Sequence, residues 1–362
     1  MKKFILLILV FLSFTGVTLW DAQTDKIANV TQIIESKIDQ KWDSYAQKVL
    51  NVIENYRTKY KDDSEKINLI NDLEYRLIKD KKIKPVKYAV ANYYTPIFYS
   101  YGLKNIFGWT GESTLKLDDN NQIDEVETIA LTGSVFEIYA EIKDWDNTIY
   151  KVYNRDYDYA TTNGYYIDSR FVALTWVIPE TVAKILPEKQ TIIERVKIIE
   201  WSQYVRWWDA PYGVSQLMDF YPPKSNVSDE IKSKWILKWV DCSWLLYYAT
   251  NGYTPRNTSS LVNYGTWIEI QWLNADAIIN KLEPLDLIVR RWHMILVLDK
   301  NTVIQSVYQL QLTGLNAESG VVINNSKDVL SRVMDNRTAV NNYDDLSFAD
   351  VKKFVVRRWY FK

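Results

Sequence analysis

The stretch KWVDCSWLLYYATNGYTPRNTSS, residues 238–260, contains the only cysteine of the 362-residue chain, Cys242. The run after it is compatible with a helix. Asp241 suits the N-cap, because a short carboxylate accepts from the free N–H groups of a first turn. Asn251-Gly252 suits the other end, where a left-handed residue closes a helix. Cys242 is therefore expected in the first turn, where the helix dipole favours a thiolate. The Asp241 carboxylate opposes that charge, so an imidazolium partner is needed to hold it. A buried, inert cysteine is the competing reading of the residue taken alone.

His293 is the only histidine. It opens a β run, HMILVLD, 51 residues after Cys242. A cysteine at a helix start followed by a histidine on a strand is the order of a papain-like thiol hydrolase. His293 would take the thiol proton and later return it to the leaving amine. Gln305 follows 12 residues later, in DKNTVIQSVY. An odd loop, such as Asp299-Lys300-Asn301, puts His293 and Gln305 on one face of the hairpin; a two-residue loop puts them on opposite faces. On one face, the Gln305 amide oxygen can orient the imidazole without adding charge.

Bulk properties limit the rest. The net charge of -1 gives no electrostatic footprint for nucleic acid. The start, MKKFILLILVFLSFTGVTLWDAQ, has two lysines before an apolar run, which reads as a secretory signal or a retained membrane anchor. The protein is therefore expected outside the cytoplasmic membrane, secreted or in the cell envelope. One histidine and one cysteine do not make a typical zinc site, and no metal or other cofactor is expected.

Residues 23–87 read as a helical arm, with apolar residues at three-to-four spacing from Ile27 to Tyr56 and a second helix capped by Asp63 or Ser64. From about 88 to 180 short alternating runs replace that period, and Asn163-Gly164 is a hairpin signal. The segment YKVYNRDYDYATTNGYYIDSRFV, residues 150–172, resembles a bacterial SH3-like wall-targeting barrel. WVIPETVAKILPEKQ is a proline-punctuated linker, and residues 181–362 carry the chemistry. The expected fold class is α+β.

VDCSWLL, GYTPRNTSS, LEPLDLIV, WHMILVLD and VIQS, taken together, resemble the NlpC-type cell-wall peptidases, papain-like enzymes that cut peptidoglycan stem peptides beside D-glutamate. The resemblance implies a catalytic domain in which the cysteine helix packs on an antiparallel sheet. It makes Cys242 the nucleophile, His293 the base and Gln305 the third polar residue. Tyr204, in QYVRWW, matches the family's tyrosine motif, which implies a place near the oxyanion and the substrate. Asp241 and Ser243 match the positions that hold the free amine of L-alanine in relatives with a wall-targeting barrel. The implied partner is the peptidoglycan stem peptide, and the implied reaction is endopeptidase cleavage between D-glutamate and the diamino acid. A non-catalytic wall-binding protein on the same fold is the alternative. Tyr204 lies 38 residues before Cys242, farther than the family's usual gap, so 209–234 reads as an insertion bordering the cleft.

The deepest departure concerns tryptophan. The family writes Asp-Cys-Ser-Gly and Gly-His; this chain has Trp244 and Trp292 at those glycine positions, and Trp207-Trp208 where the tyrosine motif is followed by Gly-Gly. Trp145, Trp201, Trp239 and Trp267 also stand where glycine is easily placed, whereas Trp359 matches no glycine position. The chain has 11 glycines and 15 tryptophans; glycine alone usually makes up about 7% of a protein. Genetic codes differ over UGA, which some read as glycine and others as tryptophan. The pattern is the one expected when UGA recoded as glycine is translated as tryptophan; a divergent protein with a plugged cleft is the other reading.

Overall fold

The computed structural model describes residues 46–80, 83–108, 115–119, 122–157, 164–179, 184–200, 210, 212–238, 240–307 and 320–361. The export segment, the start of the arm, Asn163 and Tyr204 lie outside them. None of the helices among the described residues is long and apolar enough to cross a membrane.

The N-terminal unit contains α1 (Ala46–Lys59) and α2 (Ser64–Lys79). Of the two cap candidates Asp63 takes the role: its carboxylate accepts from Lys66 N–H at 3.1 Å. Arg57 ties the helices together through Glu74 at 2.7 Å and Asn71 at 2.9 Å.

The second unit spans residues 87–159 and 163–362. Its first sheet contains β1 (Lys87–Ala91), β2 (Thr95–Phe98), β3 (Val126–Ala130), β4 (Val135–Asp144), β5 (Asn147–Asn154), β6 (Tyr165–Asp168) and β7 (Val172–Thr175), in the order β3-β2-β6-β5-β4-β1-β7. All pairings in it are antiparallel. These strands bury Phe136, Ile138, Ile149 and Ile167, among others, in one apolar core.

Beyond it come α3 (Lys189–Ile198), α4 (Gln216–Phe220), α5 (Asp229–Trp235), α6 (Cys242–Ala249), α7 (Thr258–Leu261), β8 (Thr266–Trp267), α8 (Ala275–Ile279), β9 (Leu287–Arg290), β10 (His293–Val297), β11 (Thr302–Val307), β12 (Gly320–Asn325), α9 (Ser326–Asn336), β13 (Thr338–Ala339) and β14 (Lys353–Arg358). The second sheet runs β12-β11-β10-β9-β14-β13, with β8 beside β14. Its pairings are antiparallel except the short β13–β14 pair. Mixed helices and antiparallel sheets agree with the α+β class. Helix α6 packs on β10 and β11 and also against α3.

Two packing features cross the divisions drawn from sequence. The segment expected to border the cleft as an insertion packs into the core of the first sheet: Ala210, Val214, Leu217, Tyr221, Trp235 and Leu237 are buried there. Tyr221 Oη donates to Asp168 at 2.5 Å, and Trp235 Nε1 donates to the Tyr221 carbonyl at 2.8 Å. Residues 88–180 therefore do not complete their own core, because later apolar side chains close it. The two sheets also belong to one compact unit, and Leu131, just after β3, is buried in the core of the second sheet.

Candidate active site

Helix α6 begins and ends as its sequence dictates. The Asp241 carboxylate accepts from Trp244 N–H at 2.8 Å, so Cys242 is the first helical residue. At the other end Asn251 (φ 52°) and Gly252 (φ 76°) are left-handed, and their N–H groups bond the Tyr248 and Tyr247 carbonyls. Cys242 is a free, buried thiol.

The sulfur lies against the start of β10. Cys242 Sγ is 4.0 Å from the Trp292 carbonyl oxygen, and it also meets the Met294 backbone. These two residues flank His293, so the helix start and the histidine are brought together from positions 51 apart. Ser306 on β11 strengthens the contact, its hydroxyl donating to the Val240 carbonyl at 2.5 Å.

Gln305 reaches the imidazole. Leu296 pairs with Ile304 and Val297 with Val303, the register of an odd loop, so His293 and Gln305 share a face. His293 Nε2 and Gln305 Oε1 are 2.8 Å apart. Gln305 Nε2 donates to Asn324 Oδ1 at 2.9 Å, which turns the amide oxygen toward the ring. An accepting oxygen at Nε2 requires the N–H there and leaves Nδ1 with the lone pair of a base. Sequence reading missed Asn324, a β12 residue that no local signal connects to His293.

Charge at the pair is set by burial. Burial and then the Asp241 carboxylate push the Cys242 thiol up to about 12, against weaker help from the Met294 backbone, Arg256 and Arg290. Burial and then the Arg290 guanidinium push His293 down to about 4, against the Gln305 hydrogen bond. At neutral pH the resting pair is thiol and neutral imidazole. The thiolate expected from the helix dipole does not form at rest, because desolvation outweighs the dipole.

Asp241 and Ser243 are buried beside Arg256. Arg256 donates to Asp241 Oδ2 at 2.7 Å, to Asp241 Oδ1 at 3.3 Å, to Ser243 Oγ at 2.8 Å and to Thr128 Oγ1 on β3 at 3.0 Å. Both residues proposed for the amine are thus already engaged with a guanidinium. Glu127, on the same strand as Thr128, accepts from Tyr157 Oη at 2.7 Å, and burial raises its carboxyl above the usual range. Arg256 acts on it as well. Arg256 and Glu127 were not singled out from sequence. Among the described residues no histidine, cysteine and carboxylate group is gathered that could hold a metal ion.

No family model matches the chain, and no curated protein matches it in sequence.

Proposed function

We propose that this protein is an exported cysteine endopeptidase of the NlpC type, cutting peptidoglycan stem peptides between D-glutamate and the diamino acid. The first sheet would be its SH3-like barrel and the second its papain-like catalytic half. The observation that carries the reading is the sole thiol, at a helix start, packed against the strand that opens with the sole histidine, whose ring Gln305 orients.

Because both partners rest neutral, attack and proton transfer go together. His293 Nδ1 takes the thiol proton as Sγ adds to the D-glutamyl carbonyl. The N–H of Cys242, which has no carbonyl four residues back in the helix, faces the developing oxyanion. The C–N bond breaks as the imidazolium returns its proton to the leaving amine. Water, deprotonated by His293, then hydrolyses the thioester and frees the thiol. Tyr204 is proposed to assist the oxyanion on the family resemblance alone.

Two carboxylates, Asp241 and Glu127, act with one guanidinium, Arg256. With Glu127 ionised, the cluster has one negative charge in excess, and the ammonium of an N-terminal L-alanine balances it. This favours a trimmed stem peptide with a free amine over an amidated or acylated one.

The test is digestion of L-alanyl-D-glutamyl-diamino acid peptides by the chain with glycine at 244 and 292, beside its Cys242→Ala form. Release of the diamino acid that vanishes with Cys242→Ala is expected. Equal inertness of the two forms, with binding to isolated walls retained, would instead establish the non-catalytic wall-binding protein. The buried thiol and the exposed Trp292 next to His293 favour that second reading for the chain as written.

A further inference from the structure

We propose that the working polypeptide carries glycine at positions 145, 244, 272 and 292, and tryptophan at 235 and 359. Backbone and burial sort the tryptophans in a way that sequence does not.

Six described residues other than glycine have positive φ, and three of them are Trp145 (57°), Trp272 (67°) and Trp292 (71°). Tryptophan is only 15 of 362 residues. A bulky side chain at positive φ meets its own backbone, and glycine alone takes the conformation without that penalty.

Each of the three sits in a turn slot that calls for glycine. Asp144 pairs with Asn147, so Trp145 is the first residue of a two-residue hairpin loop, with φ positive there and not at Asp146. That sign pattern belongs to the II′ turn, whose first central residue is glycine. Leu273 N–H bonds the Ile270 carbonyl at 3.1 Å, which makes Trp272 the third residue of a turn with positive φ, the glycine position of type II. Arg290 pairs with His293, and Trp292 again takes the third, left-handed place. The remaining three differ. Asn251 belongs to a residue type that tolerates this region. Leu237 and Leu285 are fully buried, so packing holds them there, whereas Trp145, Trp272 and Trp292 are 64%, 81% and 63% exposed. Little burial offsets their strain.

Trp244 is identified by its donor. It is fully buried, and its indole N–H has no hydrogen-bond partner. Buried indoles normally find one. Trp235 and Trp359, equally deep in the protein, do: their Nε1 groups donate to the Tyr221 and Leu285 carbonyls at 2.8 and 2.7 Å.

The consequence falls on the site. Residue 292 precedes His293 and its carbonyl faces the Cys242 sulfur; residue 244 is two places after Cys242 in the same helix. Glycine at both changes the backbone that carries the carbonyl at the sulfur and the helix that carries the thiol. This last consequence rests on the proposed hydrolase reading; the residue assignments do not.

The experiment separates the two. Protein isolated from its own cells is cut with trypsin, and the peptides 144–151, 235–238, 239–256, 257–281, 292–300 and 359–362 are sequenced by mass spectrometry, alongside the coding DNA. Glycine at 145, 244, 272 and 292 from TGA codons is expected, with TGG at 235 and 359. Tryptophan at any of the four positions, whether from TGG or TGA, overturns the proposal. Neither outcome depends on peptidase activity, so failure of the hydrolase reading is recognised apart from it.

Discussion

Replacing Arg256 by methionine tests the electrostatic construction of the Asp241 cluster. The guanidinium is 3% exposed and Asp241 is 8% exposed at the side chain. Arg256→Met keeps apolar bulk but removes four donated hydrogen bonds, to Thr128, Ser243 and both oxygens of Asp241. Breaking one side of a buried ion pair costs about 3–5 kcal/mol, most of it from the stranded charge. Asp241 retains the Trp244 N–H and the Ser243 hydroxyl, at 2.8 and 3.2 Å, so the lower end applies, about 3 kcal/mol. At roughly 2–4 °C per kcal/mol, Tm falls by roughly 6–12 °C. Adding Asp241→Asn removes the charge stranded at that position while an amide oxygen still caps α6, so the double variant is expected to regain part of the loss. Urea unfolding of the four proteins closes the cycle, provided the m value stays constant. A loss below about 1 kcal/mol for Arg256→Met, or strictly additive single losses, would show that the two groups are not coupled in this way. A second readout is independent of stability. Arg256 lowers the Cys242 pKa and Asp241 raises it, so alkylation should slow in Arg256→Met and recover in the double variant.

The other predictions concern the same framework. His293 titrates near 4 when folded and near its ordinary 6.5 when unfolded, so the unfolded chain binds more protons between those values. Stability at His293 is therefore fully present above about pH 6.5 and lost as pH falls toward about 4, and His293→Gln should flatten that part of a denaturation profile. With the thiol near 12, iodoacetamide should modify native Cys242 about tenfold faster per pH unit from pH 6 to 9; a plateau at low pH would show a preformed ion pair instead. Gly265 has φ +73°, and a Cβ there would collide with the Arg358 carbonyl. Gly265→Ala should destabilise the protein by roughly 1–3 kcal/mol in urea unfolding, and an unchanged midpoint would contradict the close approach of β8 to β14.

Short-range hydrogen bonds and side-chain period are legible in the chain alone. Asp241 starts α6 and Asn251-Gly252 ends it because the groups they satisfy are a few residues away. His293 and Gln305 share a face because the three residues 299–301 fix the register of one hairpin. What those elements meet depends on long-range packing. Arg256 on Asp241, Asn324 behind Gln305, Glu127 beside Tyr157 and Trp235 beneath the first sheet join residues from separate elements, and no local pattern announces them. The same limit applied to charge. Sequence placed the thiol at a favourable dipole, but its proton is held by desolvation, which depends on what packs over the sulfur. It applied to the tryptophans as well. Composition exposed the excess, but φ and burial distinguish an indole that has a place in the fold from one standing where only a glycine backbone fits.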